Sequence, residues 1–281
     1  MAWECSSIPI NACDISGMLA IFTLALDAEP WIEKHLHVFQ QLTVPWQWVI
    51  AHGAAMNGGS TKWCQPQNPR LSTDGTTEYL HGIDDERVTV LEKKSWPSKD
   101  AQCNAALEVI TKSVSNSSGL AVPSVLMQVD SDEMWSAKQI ETIVRTFAER
   151  PQLSSMMFDC RYYVGENLIT QGENCFGSRE NEWLRAWRYE PGRRFISHEP
   201  PVLEGDDPER RMSKRETREI VGRFEHFAYV TEAQVAFKEK FYGYKGAVRQ
   251  SQALQAYEKF PVELSRFFPF VSGSEPVVVK I

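Results

Sequence analysis

The chain opens its patterned region with "LAIFTLAL", residues 19–26, a continuous run with β-branched and aromatic members. Such a run predicts a strand buried on both faces. Pro30 follows and suits a first helical turn. Ile32, Leu36 and Phe39 then recur at i, i+4 and i+7, one face of a helix. "WQWVIA" (46–51) and "VTVLEK" (88–93) predict two further strands. Ala106, Leu107, Ile110 and Val114 form a second helical stripe, and "SVLMQVD" (124–130) reads as a fourth strand. Ser136 and Gln139 match a capping box ahead of Ile140, Ile143, Val144 and Phe147, and Pro151 ends that helix. Strand alternating with helix predicts a mostly parallel sheet with helices on its faces.

The pattern changes after Pro151. "SSMMFDCRYYV" (154–164) reads as one strand, and 185–190 and 193–197 as two strands about a turn at Pro191-Gly192. Residues 203–218 are polar and predict a loop or mobile flap. Thr231 and Gln234 form another capping box, for a helix running to about Tyr242. The tail from Ser272 has no evident packed role. Residues 53–87 form a long polar, Gly-rich insertion, of the kind that is functional or disordered in a compact domain.

Composition narrows the partners. A net charge of -7 over 281 residues disfavours sequence-independent binding to nucleic acid. The basic run Arg210, Arg211, Lys214, Arg215 and Arg218 reads as a solvated helix face. Cysteines stand at 5, 13, 64, 103, 160 and 175, never in Cys-x-x-Cys spacing, which predicts free thiols in a reducing compartment. The first 17 residues lack signal-peptide features and no long apolar run predicts a membrane span. The expectation is a cytoplasmic protein, with peripheral attachment at a membrane left open. No G-x-G-x-x-G, G-x-S-x-G or P-loop is present, which sets aside dinucleotide-binding, serine-hydrolase and P-loop chemistry.

"LMQVDSDEMW" (126–135) places Asp130, Asp132 and Glu133 straight after an apolar run. Buried charge needs a partner. If the strand continues through 132, the two aspartates share a side. Two carboxylates there suit Mg²⁺ or Mn²⁺ held together with substrate phosphates. The competing explanation is acidic charge favouring the next helix's N-terminus, with Glu133 in that role. An EF-hand is excluded, since its fifth and sixth positions would be Met134 and Trp135.

Three segments carry a family resemblance. "IFTLALDAEPWIEKHL" resembles the opening of family 2-like glycosyltransferases of the GT-A fold, "SKDAQCNAAL" (98–107) resembles their Asn-Ala-Ala-Leu helix, and "VDSDEMW" falls where they carry Asp-x-Asp. The resemblance covers about residues 18–150 and beyond that lies in the order of parts. It implies an α/β, Rossmann-like GT-A fold: a mostly parallel central sheet, helices on both faces and an acceptor-side C-terminal extension. The implied organisation is an extension at 1–17, a nucleotide-sugar-binding half at 18–150, an acceptor-binding half with a C-terminal helix at 151–271, and a tail at 272–281.

The activity implied is metal-dependent transfer of one sugar from a nucleotide-sugar donor, with inversion, to a glycan, lipid-linked or protein acceptor. Asp130 and Asp132 would hold Mn²⁺ or Mg²⁺, with His226 as a further ligand. Glu199 would be the base, with Glu182 and Asp159 as alternatives. Asp27, Glu29 and Asp130 would meet the donor. His52 stands where the family often has an aspartate for the nucleotide base. Lys99 would meet a phosphate or be an exposed helix-start lysine. Trp183 and Trp187 would stack on an acceptor sugar, or form a helix's packing stripe. The absence of Gln-x-x-Arg-Trp sets aside processive polymer synthesis. Two other functions compete. A sugar-nucleotide nucleotidyltransferase would carry a Gly-rich signature, which "LDAEPWIEKH" lacks. A non-catalytic binding protein on a decayed GT-A fold would fail to bind a nucleoside diphosphate.

Overall fold

The computed structural model describes residues 18–116, 122–171, 183–271 and 276–281. The extension 1–17, Glu182, Cys5, Cys13, Cys175, the Val114 side chain and residues 272–275 lie outside the described residues.

The alternation expected for the first half is present. In chain order it runs β1 (Met18–Ala25), α1 (Ile32–Phe39), β2 (Trp46–Ala55), α2 (Thr76–His81), β3 (Val88–Trp96), α3 (Lys99–Asn116), β4 (Pro123–Gln128), the short β5 (Glu133–Met134) and α4 (Ala137–Glu149). β1 pairs in parallel with both β2 and β4, and β2 with β3. Successive residues of β1 enter different cores. Leu19 and Ile21 join Ile32 and Phe39 of α1 and Ile140, Ile143 and Phe147 of α4. Ala20 and Phe22 join Cys103, Ala106, Leu107 and Ile110 of α3. The sheet is therefore covered by helices on both faces, which is why β1 reads as an unbroken run. Burying each large apolar side chain contributes about 1.5–3 kcal/mol. Ser136 caps α4 in a capping box with Gln139, as expected. Pro30 stands before Trp31, the residue preceding α1, and so lies outside the helix rather than in its first turn.

A buried polar chain holds the ends of the central strands in register. Thr23, fully buried, donates its hydroxyl to Val129 O at 2.7 Å and accepts the Trp48 indole N–H at 2.9 Å. Thr23→Val keeps the shape and orphans both partners. It is expected to cost about 1–3 kcal/mol in urea unfolding; a loss within a few tenths would mean that water replaces the hydroxyl.

The remaining elements are β6 (Ser155–Met157), β7 (Cys160–Gly165), β8 (Leu168–Gln171), β9 (Leu184–Arg188), β10 (Phe195–His198), β11 (Pro201–Leu203), β12 (Arg211–Met212), α5 (Lys214–Ile220), β13 (Phe224–His226), α6 (Glu232–Phe241), α7 (Ala247–Gln255), β14 (Val262–Glu263) and β15 (Val277–Lys280). The main sheet has the order β12-β6-β9-β4-β1-β2-β3, with β9 antiparallel to β4 and β6. A second sheet runs β14-β15-β8-β7-β13-β5. One core cluster spans both halves of the chain. Among the described residues no helix is long and apolar enough to cross a membrane.

Several expectations for the second half are corrected. The single strand at 154–164 is two, β6 and β7, in different sheets. They part near Asp159, which turns away to Arg223 (2.7 Å) and Arg218 (3.3 Å). The polar stretch 203–218 is no flap. It forms β12 against β6 and then α5, whose Ser213 and Glu216 make a capping box. Its basic run divides: Arg215 pairs along the exposed helix face with Glu219, while Arg211 reaches Asp206 at 2.7 Å. The tail supplies β15, paired with β8 and β14. Trp183 and Trp187 are not a helical stripe, since residues 184–188 are a strand. Cys64, Cys103 and Cys160 are buried.

Candidate functional site

β1 has β2 on one side and β4 on the other, so the crossovers leave it in opposite directions. That is a topological switch point, where open α/β sheets form a crevice at the carboxyl ends of the strands. A cavity of ≈ 990 Å³ lies there, its walls including Leu24–Trp31 at and beyond the end of β1 and Asp130, Ser131 and Asp132 after β4.

β4 ends at Gln128, so strand alternation does not align the two aspartates. A turn does. Val129 N–H donates to Phe22 O (3.0 Å), Glu133 N–H to Asp130 O (3.0 Å), and buried His35 on α1 bonds Glu133 O through Nε2 (3.0 Å). Burial drives the His35 pKa down to about 4, so the ring is neutral near pH 7 and its Nε2 carries the donated proton. β5 then pairs with β13, setting His226 opposite Glu133, and Phe227 N–H donates to Asp132 O at 2.8 Å. This ladder carries His226 to the acids. Its Nε2 is 3.4 Å from Asp132 Oδ1, and its Nδ1 is buried without a partner.

The positive partner of the acidic loop is first of all Arg185, on β9. Its guanidinium reaches Glu133 Oε1 (2.8 Å) and Asp130 Oδ2 (3.0 Å), and its side chain is 4 % exposed. Glu133 is therefore not a helix-dipole charge, as the competing explanation had it. It is fully buried and its carboxylate faces Arg185. Burial pushes the Glu133 carboxyl up to about 7, with Arg185 pulling the other way. For Asp130, burial is outweighed by Arg185, His198 and the Gln128 amide, which hold it below the usual carboxylate range. For Asp132, burial is outweighed chiefly by His226, and its pKa is also lowered.

Glu199 lies on the cavity wall. Its Oε1 accepts from the Lys99 ammonium and from the Tyr242 hydroxyl (2.9 Å). Burial alone would raise its pKa; Lys99 overrides this and lowers it. Lys99 is thus neither exposed nor free. It opens α3 on the cavity wall, bound to Glu199 and Tyr242. Asp159 lies off the cavity wall, committed to Arg218 and Arg223. Asp27 lines the cavity, with both carboxylate oxygens on Arg70 and one also accepting Thr73 N–H (3.0 Å). Glu29 lines it more openly, its backbone N–H on Asp74 (2.9 Å). His52 does not line it. It is fully buried behind Ser72, with Nε2 3.0 Å from the Ser72 hydroxyl. Trp183 is buried but forms part of the wall, whereas Trp187 packs edge-on against Phe195 in the α3 core.

Sequence reasoning missed Arg185, Arg70 and Lys238. Arg185 had a signal: an arginine between Leu184 and Ala186 in a buried-looking strand needs a partner. Lys238 had none. It projects from α6 into the cavity wall, its ammonium 5.1 Å from the Tyr229 ring centre, and burial lowers its pKa.

Among the described residues no group of three or more His, Cys, Asp and Glu side chains comes together as a metal cage. Mg²⁺ and Mn²⁺ do not need one, since hard ions of this kind are held by one or two carboxylates plus substrate phosphates and waters. Asp132 with His226, whose second ring nitrogen is orphaned, fits such a substrate-completed site. Asp130 fits less directly, being held by Arg185.

No protein-family model matches the chain, and no curated protein matches it. Among solved structures it is similar to TarS of S. aureus, at 12% identity over 84% of this chain and 42% of that one, with a TM-score of 0.43. It is similar to TarS 1-349 in complex with UDP-GlcNAc, at 11% identity over 84% and 71%, with a TM-score of 0.41. A third is glucosyl-3-phosphoglycerate synthase from Mycobacterium tuberculosis in complex with Mn²⁺, UDP-glucose and phosphoglyceric acid, at 13% identity over 56% and 50%, with a TM-score of 0.32. The chain thus spans less than half the length of the TarS chain. Likeness at this level is weak, and the chemistry of the site rests on its own side chains.

Proposed function

We propose that the chain is a metal-dependent glycosyltransferase that moves one sugar from a nucleotide-sugar donor to an acceptor hydroxyl with inversion. The observation that carries the proposal is the meeting of Asp132 and His226 at 3.4 Å, at the switch point of a mostly parallel sheet and inside a ≈ 990 Å³ cavity. That volume suits a nucleotide sugar. Asp132 and His226 would hold Mn²⁺ or Mg²⁺, which when bound neutralises charge developing on a leaving diphosphate. Lys238 adds a cation on the same wall, resting over a ring and available to a phosphate oxygen. Arg185 neutralises the buried Glu133 and the half-buried Asp130 beside it. Asp27 and Glu29 form the donor's edge, with Asp27 held in place by Arg70. The halves at 18–150 and 151–271 would serve donor and acceptor.

Glu199 is the base in this proposal. A base must be unpaired to take a proton, so Lys99 has to loosen its hold on Glu199 before the proton moves. Glu199→Gln is expected to lower kcat by about 10²–10⁴-fold, with donor affinity within about threefold. Normal turnover in that variant would remove Glu199 from the role.

A non-catalytic binding protein is the second reading. The observation in its favour is that Arg185 and Lys99 already neutralise acids that a catalyst would leave open. Calorimetric titration of UDP, GDP, dTDP and CMP, each with and without Mn²⁺, separates the two. Tight binding of one diphosphate only with Mn²⁺ supports the transferase; no binding in any condition supports the binding protein.

A further inference from the structure

The rings expected to meet an acceptor, Trp183 and Trp187, are both buried, and the ring left open is Trp63. At 51% exposure it is the one aromatic among the large apolar side chains left exposed among the described residues. It lines the same cavity as Glu199. Its backbone is pinned on both sides. The preceding turn, Gly59–Thr61, is clamped to α3: Ser60 gives its N–H (2.7 Å) and hydroxyl (2.6 Å) to the Asp100 carboxylate. Gly59 sits at φ +56, and a Cβ there would come within 1.7 Å of Asp100 Oδ2. On the other side, Gln65 N–H donates to Phe241 O at the end of α6 (2.7 Å).

The inner face of the indole is occupied. Trp63 stacks on Tyr242 (5.5 Å, 23°), Tyr242 on Tyr244 (5.5 Å, 24°), and Tyr244 on Phe270 (4.2 Å, 6°). The Tyr242 hydroxyl is fixed between Lys99 (2.8 Å) and Glu199 (2.9 Å). A ladder of four rings, tied to Glu199 through Tyr242, thus ends in a half-exposed indole on the cavity wall. Such a preorganised ring loses little freedom when something lies on it.

The occupant has to suit an aromatic face with a polar border. Gln67 and Thr73 line the same cavity, and Glu199 lies one residue behind Trp63, through Tyr242. A wholly apolar partner would strand these polar groups. A sugar ring has an apolar C–H face for the indole and hydroxyls for the border, and the further acids on the wall, Glu29, Asp74 and Asp132, disfavour an anionic one. We infer that Trp63 is the stacking platform for a sugar ring of a neutral glycan acceptor. This rests on the glycosyltransferase reading and selects the glycan from among the acceptor classes.

The test follows the indole N–H signals of ¹⁵N-labelled protein during titration with maltose, cellobiose and N,N′-diacetylchitobiose. W63F assigns the Trp63 signal. The expected result is that at least one sugar shifts it, that W63A weakens binding of that sugar about tenfold or more, and that W63F keeps most of the affinity. Diphosphate affinity of W63A within threefold of wild type confirms an intact fold. With diphosphate binding intact, no shift by any of the three sugars overturns the inference, as does unchanged sugar affinity in W63A. A response to 1-anilinonaphthalene-8-sulfonate without one to the sugars also overturns it, marking an apolar docking surface instead. Failure of the transferase reading shows separately, as absent diphosphate binding by the wild type; a Trp63-dependent sugar affinity would then still support the platform.

Discussion

Arg185→Ala is expected to cost about 3–5 kcal/mol of folding stability, the range for removing one partner of a buried charge pair. The guanidinium serves Asp130 and Glu133 at once. Without it the fully buried Glu133 and the half-buried Asp130 lose their shared cation, and Glu133 is left to take up a proton. Their folded pKa values then rise above those of wild type, where Glu133 already stands at about 7, so the variant's folded state binds more protons and loses more stability as pH rises. The deficit relative to wild type should therefore grow between pH 5 and pH 8. Urea unfolding at the two pH values measures it. A deficit below about 1 kcal/mol at pH 8 would show that water, not Arg185, carries the charge balance. Adding Glu133→Gln to the variant should restore part of the loss at pH 8.

Asp132→Ala is expected to remove the gain in diphosphate affinity that Mn²⁺ brings. The loss should be at least the ~100-fold that marks the upper range for removing a mere outer partner of a metal. The fold should survive, because what pins this residue is its backbone carbonyl, which accepts Phe227 N–H and which alanine retains. Calorimetry with and without Mn²⁺ reads the effect, and circular dichroism checks the fold. An unchanged response to Mn²⁺ would sink the metal assignment.

The first half of the fold was legible because its signals are local. Period-3.6 stripes, a capping box at Ser136 and unbroken strand runs each sit within about one element. The second half misled where distant partners decide. Asp159 splits an apolar-looking run because Arg218 and Arg223 await it some sixty positions on. The polar stretch 203–218 packs because β12 pairs with β6, Arg211 finds Asp206 and Ser213 caps α5 with Glu216. At the site, the acids were visible but their partners were not. Arg185 and His226 reach the loop through pairings of β9 and β13, and spacing along the chain carries no trace of that. Lys99 and Glu199 were singled out separately, and nothing in the sequence joined them. Trp63 lay in the insertion marked as functional or disordered, and only its stacking partners set it apart.

β13 is hydrogen-bonded to β5 along one edge and to β7 along the other. The acidic loop, the histidine and the second sheet are therefore stitched into one cooperative unit, not two lobes about a hinge. Local opening of β13 would release Asp132 and His226 together with the edge of β7. Amide protons across Glu133–Met134, Cys160–Tyr162 and Phe224–His226 should then exchange at a common rate, as protons within one such unit do. A ligand that clamps the loop would be felt as slowed exchange as far away as β7, beyond anything it touches.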